Sequence, residues 1–455
     1  MTQTKTKKAL LMSVLSMVLC VAMLVGMTFA WFTDTASTAV NKIQAGNLKV
    51  GLEMATQWDE NGNPTAWADA SDTTLTFKTA DNRAADKILW EPGCTYKLPE
   101  LRVVNNGNLA LKYKIQITGI KGDAELNKVI DWTINNADMS TEYMLTPAEK
   151  YSNNITISGH MQESAGNHYM DMSIEGIAIT VYATQMQHEN DSKDNTYDSG
   201  ATLPETKSAS DAASIAAAVA DVATEGSKNV AVTITKDMDK TSGIKTAKGN
   251  TLSMNLNGKT VGVSYGQGST NTTTNGMQLL QGSTVNLKNG TYKANHGEDK
   301  DHNIAILIQN YSNLTVENCT LDMREANDTA GNSKGTSYAL STNCGKVVIK
   351  GNSNIYARSG EYALDVMHWE NTGYQEEGTS VIFDETMTGI VDGKIDVYCY
   401  RNGRVVKPVD DGGAILVIKG GTFINSGLTL DEFKAFVPTG YTVMTNADGS
   451  FTVSK

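Results

Sequence analysis

Histidine and cysteine, the side chains that most often hold a catalytic metal, are nearly missing from this chain, with six and five residues in 455. No two cysteines stand in a C-x-x-C pair, which excludes the common zinc spacings. Proline is equally scarce, at 7 residues against 40 glycines; with abundant Asn, Thr and Ser this suits turn-rich all-β structure. Positive charge is short as well. Lys and Arg number 38 against 50 Asp and Glu, for a net charge of −12. An acidic surface repels phosphate backbones, so no nucleic-acid partner is expected. Such a surface favours solubility and tolerates divalent cations. Beyond the first thirty residues no long apolar run occurs.

That first stretch is ordered. Lys5, Lys7 and Lys8 precede an apolar run from Ala9 to Val25, and Thr28-Phe29-Ala30 is a small-x-small exit. Charge, apolar core and small-residue exit are the parts of a secretory signal peptide. Residues 1–30 are therefore read as a signal peptide cut between Ala30 and Trp31, and the protein as extracellular or at the cell surface. The competing reading is a retained anchor, since about twenty residues suffice to cross a bilayer; membrane contact would then come only through this uncleaved segment. A lipoprotein is excluded, because Leu19 before Cys20 is too large for a lipobox. The mature chain keeps about 35 basic residues against 50 acidic ones, a net charge near −15. At about 425 residues it is too long for one core, and two domains are expected. Its four cysteines, Cys94, Cys319, Cys344 and Cys399, are widely separated and predict free thiols packed as small hydrophobes.

Residues 31–188 alternate apolar and polar positions: Leu48, Val50, Leu52, Met54; then Leu109 to Ile117; then Ile130, Trp132, Ile134; then Met170, Met172, Ile174. Period two predicts strands with one buried face, and several of them an antiparallel sandwich or jelly roll. Asn106-Gly107 predicts a tight hairpin. Residues 189–207 are polar and read as a linker; Leu203-Pro204-Glu205-Thr206 within it lacks the glycine of a sortase signal. Ser210 to Thr224 predicts a helix with Ser210 as N-cap and Ile215, Ala218, Val219 and Val222 as its apolar stripe, placed to cap the end of a solenoid.

Residues 208–455 repeat. Leu256, Leu287, Val316, Ile349, Phe383 and Ile418 head similar strand-and-turn units at steps of 31, 29, 33, 34 and 35 residues. A unit that cannot bury its own apolar face must stack on the next. Short strands without helices predict a parallel β-helix. Tyr441 to Val453, with a turn at Asn446-Ala447-Asp448-Gly449, predicts a hairpin over the last rung. No apolar span or lipid signal closes the chain, so no covalent wall anchor is expected.

Two regions resemble known families. Thr28-Phe29-Ala30-Trp31-Phe32-Thr33-Asp34-Thr35 with Asn41 to Leu48, and Glu91-Pro92-Gly93-Cys94 with Leu101 to Leu111 beyond it, resemble the TasA/camelysin proteins over about residues 25–188. That resemblance implies export by a SipW-type signal peptidase of Gram-positive bacteria and a fibre-forming sandwich. It also implies a donor strand beginning at Trp31, Phe32, Thr33 and Thr35, which leaves its own subunit to pair with the next. The camelysin branch implies metallopeptidase activity. Two His four apart around a Glu are the usual ligands, yet His160, His168 and His188 form no such motif. The repeat region resembles the right-handed parallel β-helix of pectate-lyase type, which implies glycan contact or cleavage.

Candidate chemistry is sparse. Asp365, His368 and Trp369, with Asp396, Arg401 and Arg404 further on, are the best ligand-site candidates. Asp365 and His368 lie three apart, so a strand would turn them to opposite faces; the bland reading puts both in rung turns. His296 to His302 reads as a solvated loop able to take a cation. The expectation is an all-β, two-domain secreted bacterial surface or matrix protein without catalysis. Self-assembly and surface glycans are its partners, no cofactor is required, and calcium is the one ion considered. The alternatives are a carbohydrate-active β-helix enzyme and a camelysin-like peptidase.

Overall fold

Alternation builds the N-terminal part of the described chain. In Leu111–Thr118 the side chains of Leu111, Tyr113 and Ile115 are buried and those between them are half-buried. This strand pairs antiparallel with Glu142–Leu145 and Ala178–Gln185. Val50–Trp58 pairs with Pro64–Asp69 and Leu101–Asn105, and Ile157–Met161 with Thr95–Lys97 and Ile130–Ile134. Leu101, Val103, Leu111, Ile115, Ile134 and Ile157 meet in one core, so the expected antiparallel sandwich is present. The structure is a computed structural model. It describes residues 48–70, 73, 75–79, 90–118, 121–138, 140–175, 177–186, 203–268, 274–295, 304–326, 336–369, 378–401, 404–406 and 414–455. The expected signal peptide, the Ala30–Trp31 cleavage site, the Trp31, Phe32, Thr33 and Thr35 donor strand, His188, residues 189–202 of the expected linker and the His296 to His302 loop lie outside the described residues.

Two sandwich expectations fail for local reasons. Asn106-Gly107 turns no hairpin: Leu101–Asn105 and Leu111–Thr118 belong to different sheets, and neither turn residue has positive φ. The buried Asn105 side chain holds this crossover, accepting from the Gly107 N–H at 3.0 Å and donating to the Leu109 carbonyl at 2.8 Å. The strand expected at Met170 to Ile174 shrinks to Ile174–Glu175. Asp171 has φ +65°, which breaks an extended run, and Met170 is 68 % exposed.

The C-terminal part is a β-solenoid of about five turns. Its longer sheet stacks strands in parallel, with Met254, Leu287, Val316, Ile349, Phe383 and Ile418 in one register ladder. The repeat reading placed Leu256 at the head of this ladder; Met254 stands there instead. A register shift between Asn255 and Lys259 absorbs the two-residue error. Asn257, Asn289 and Asn318 take left-handed φ of 52°, 61° and 49°, a conformation Asn tolerates better than other residues with a Cβ. A second parallel sheet, not foreseen from sequence, runs through Ile244–Thr246, Asn275–Leu279, Ile306–Asn310, Tyr338–Thr342, Tyr362–Trp369 and Lys394–Arg401.

Both ends are closed. Glu205–Ala209, expected at the end of the linker, is the first strand of the solenoid, parallel to Asn229–Ile234. The adjoining helix is Ala212–Val219, continued by a 3-10 turn at Ala220–Val222, so the helical segment ends within two residues of the expected Thr224. Its N-cap is Asp211, not Ser210: Asp211 accepts from the Ser214 N–H, and the Ser214 hydroxyl oxygen accepts from the N–H of both Ser210 and Asp211. Ile215, Ala218, Val219 and Val222 are buried as expected. At the other end the hairpin Thr442–Thr445 and Phe451–Ser454 adds antiparallel to Gly421–Ile424. A helix not expected from the sequence, Leu430–Lys434, fills the last opening with Phe433. The sandwich touches the solenoid where Lys114 Nζ donates to the Pro204 carbonyl at 2.7 Å. No helix among the described residues is long and apolar enough to cross a membrane.

Candidate functional site

Parallel strands in register put equivalent side chains on one face, about 4.8 Å apart from rung to rung. On the second sheet this builds a polar ladder of Gln278, Gln309, Ser341, Asp365 and Asp396. Gln309 Nε2 donates to Asn343 Oδ1, and the Ser341 hydroxyl donates to Asp365 Oδ2 at 2.8 Å. Asp365 is only 4 % exposed, and its Oδ1 has no partner within hydrogen-bond distance. The Tyr398 hydroxyl, from the Asp396 strand, faces the same carboxyl.

Burial pushes the Asp365 carboxyl from its ordinary 3.8 up to about 7. The Ser341 hydrogen bond opposes this rise and the charge of Asp396 adds to it. Tyr338 is raised to about 12, first by burial and then by the charge of Asp365. Tyr398 is raised for the same two reasons. Two carboxyl groups on successive rungs, one of them buried, can share a proton, hold a cation between them or act as an acid–base pair.

The sequence candidates separate in space. Asp365 and His368 both lie within Tyr362–Trp369, so the rung-turn reading is corrected: this segment is strand. As the three-residue spacing predicts, they do not meet. His368 is 6 % exposed, has an unpartnered Nδ1 and stands in register with the buried Cys399. Trp369 packs near Tyr311, with ring centroids 6.4 Å apart. Asp396 joins Asp365 directly. Arg401 and Arg404 pair at the hairpin beyond the same strand, about 16 Å along the chain from Asp396 at strand rise, too far to complete the pair. Sequence reasoning missed Ser341, Asn343, Gln309 and Tyr398, because the strands carrying them had not been recognised; their in-register spacing was the signal.

The sandwich offers less. His160 Nδ1 lies 2.8 Å from the Thr95 hydroxyl and its Nε2 3.3 Å from Glu163. Among the described residues no three His, Cys, Asp or Glu side chains converge as metal ligands. A polar cleft of about 410 Å³ is lined by Gln116, Asn127, Trp132, Tyr182, Lys207 and Thr233, but Lys207 is taken up by Asp221 at 2.7 Å and Glu205 at 3.4 Å. Cys94, Cys319, Cys344 and Cys399 form no disulfide, and all but Cys94 are buried.

A family model described as camelysin metallo-endopeptidase matches residues 5–61. No curated protein matches the chain. The family match covers the basic and apolar start and the first strand, Val50–Trp58. The resemblance read over about residues 25–188 is thus found at the front of that range, and the chain is similar there to the camelysin family.

Proposed function

We propose that the protein is a secreted bacterial surface or matrix protein, exported by a SipW-type signal peptidase and structural or adhesive rather than catalytic. The observation that carries this reading is the camelysin-family match at residues 5–61 on a chain that continues as a capped β-solenoid. An N-terminal segment of that family supports export and strand exchange. A solenoid repeats the same side chains along its faces and so offers an extended surface to glycans or to other proteins. The test is N-terminal sequencing of culture supernatant and wall fractions. A start at Trp31 is expected, and intact chain confined to membranes would overturn the reading.

A second reading, a carbohydrate-active solenoid enzyme, draws on the Asp365–Asp396 pair. Glycoside hydrolysis needs two carboxyl groups, one with a raised pKa. Incubation with neutral and acidic polysaccharides decides between the two: turnover that disappears in Asp396→Asn would replace the structural reading. Casein in the same assay tests the peptidase activity in the matched family's description.

A further inference from the structure

We propose that Asp365 and Asp396 bind a hard divalent cation, with calcium the natural occupant, which ties two successive rungs of the solenoid together. The proposal goes beyond the structural reading above; only the choice of calcium leans on an extracellular setting.

The first ground is register. Asp365 and Asp396 are direct partners on adjacent parallel strands, as are their neighbours Leu364 and Ile395, and Val366 and Val397. Both carboxylates therefore leave the same face one strand spacing apart. The second ground is the unpartnered oxygen. Asp365 is more than nine-tenths buried, Ser341 donates to Oδ2, the Tyr398 hydroxyl is the carboxyl's other hydrogen-bonding neighbour, and Oδ1 itself meets no donor in hydrogen-bond geometry. Folded proteins rarely leave such an acceptor bare, and where they do an ion or water is a common reason.

The third ground is counter-charge. Among the described residues no Lys or Arg forms an ion pair with either carboxylate. Lys394, on the Asp396 strand, lies over the Tyr362 ring at 5.6 Å, and Arg358 reaches Glu361 at 3.4 Å. Two adjacent carboxylates without a cation repel each other. The fourth ground is donor type. The groups set against the two carboxylates are oxygens, the hydroxyls of Ser341 and Tyr398, while the amides of Gln309 and Asn343 further along this face are bonded to each other. The nitrogen and sulfur donors, His368 and Cys399, are turned to the opposite face by the alternation of the strand. An all-oxygen set suits calcium, whereas zinc selects nitrogen and sulfur.

The test uses the full mature chain, stripped with chelator and titrated with calcium chloride by calorimetry and by thermal melting. Expected is a saturable single site with a Kd of about 0.1–1 mM, the range of extracellular calcium modules. At tenfold excess over Kd, Tm should rise by about 3–5 °C. Asp396→Asn, at a half-buried position, and Asp365→Asn, which keeps the shape of the side chain, should both fold and both lose the site. Absence of a calcium effect on the unmodified protein would overturn the proposal, and so would an effect that survives in both variants. A Tm that responds to acid but not to calcium would also overturn it, assigning a shared proton to the pair. None of these outcomes depends on where the protein is exported or whether it assembles.

Discussion

Replacing Phe433 by alanine should unlock the C-terminal end of the solenoid. The ring is fully buried and sits in a chain of aromatic contacts, its centroid 5.1 Å from Phe423 and 4.7 Å from Phe451, with Phe383 a further 5.0 Å beyond Phe423. It therefore joins the last rung, the short helix Leu430–Lys434 and the closing hairpin. Truncating a buried Phe costs about 3–5 kcal/mol, part lost transfer energy and part cavity. For a domain of 150–250 residues each kcal/mol lowers Tm by about 2–4 °C, so a fall of about 10 °C is expected. Uncovering the Gly421–Ile424 edge should also promote aggregation. The control is Met444→Ala in the same hairpin, where the side chain is 59 % exposed and the change should stay within about 0.5 kcal/mol. Urea melts and size-exclusion chromatography of the two variants read the difference, and Phe433→Leu should recover most of it. Equal stability of Phe433→Ala and Met444→Ala would refute the docking of this cap.

Gly345→Ala should be at least as damaging. The backbone there has φ +79°, and a Cβ would stand 2.2 Å from the Ser312 carbonyl oxygen, so poor expression or a Tm drop larger than that of Gly360→Ala, where no atom lies within 4 Å, is expected. Asn250→Ala should cost about 2–3 kcal/mol in urea melts, because its buried amide serves the Val222 and Thr224 carbonyls and the Lys228 N–H. Burial raises the Cys319 thiol from 9.0 to about 12. The folded state thus holds this proton more tightly than the unfolded chain, and stability is lost as pH climbs from about 9 towards 12. Cys319→Ala should flatten that alkaline limb, and Cys319 should resist alkylation at pH 8 until the protein is unfolded.

The parts legible in the sequence were those in which one residue's environment repeats. Leu287, Val316, Ile349, Phe383 and Ile418 aligned correctly because each fills the same interior position. Leu256 was misplaced because the extra residues near Asn257-Gly258 are absorbed in a bend that apolar spacing does not register. Asn106-Gly107 misled because the Asn105 side chain, rather than the dipeptide, sets the turn. The cap helix was readable in principle: Thr429 and Glu432 form a capping box. The second sheet was not, since strands such as Ile306–Asn310 end in polar residues that face their counterparts on neighbouring rungs. With that sheet unseen, Asp365 and Asp396 were visible as residue types but not as neighbours. Their pairing depends on loop lengths that vary from rung to rung, and no local pattern encodes it.

The proposed role as a secreted structural protein predicts assembly once residues 1–30 are removed. Sedimentation velocity with electron microscopy, on protein beginning at Trp31 and on a variant beginning at Gly46, is the decisive measurement. Filaments or large polymers are expected from the longer form only, weakened by Trp31→Ala, because an extended segment that pairs with a neighbour's sheet grows head to tail. Monomers of equal stability from both forms at high concentration would contradict the structural role.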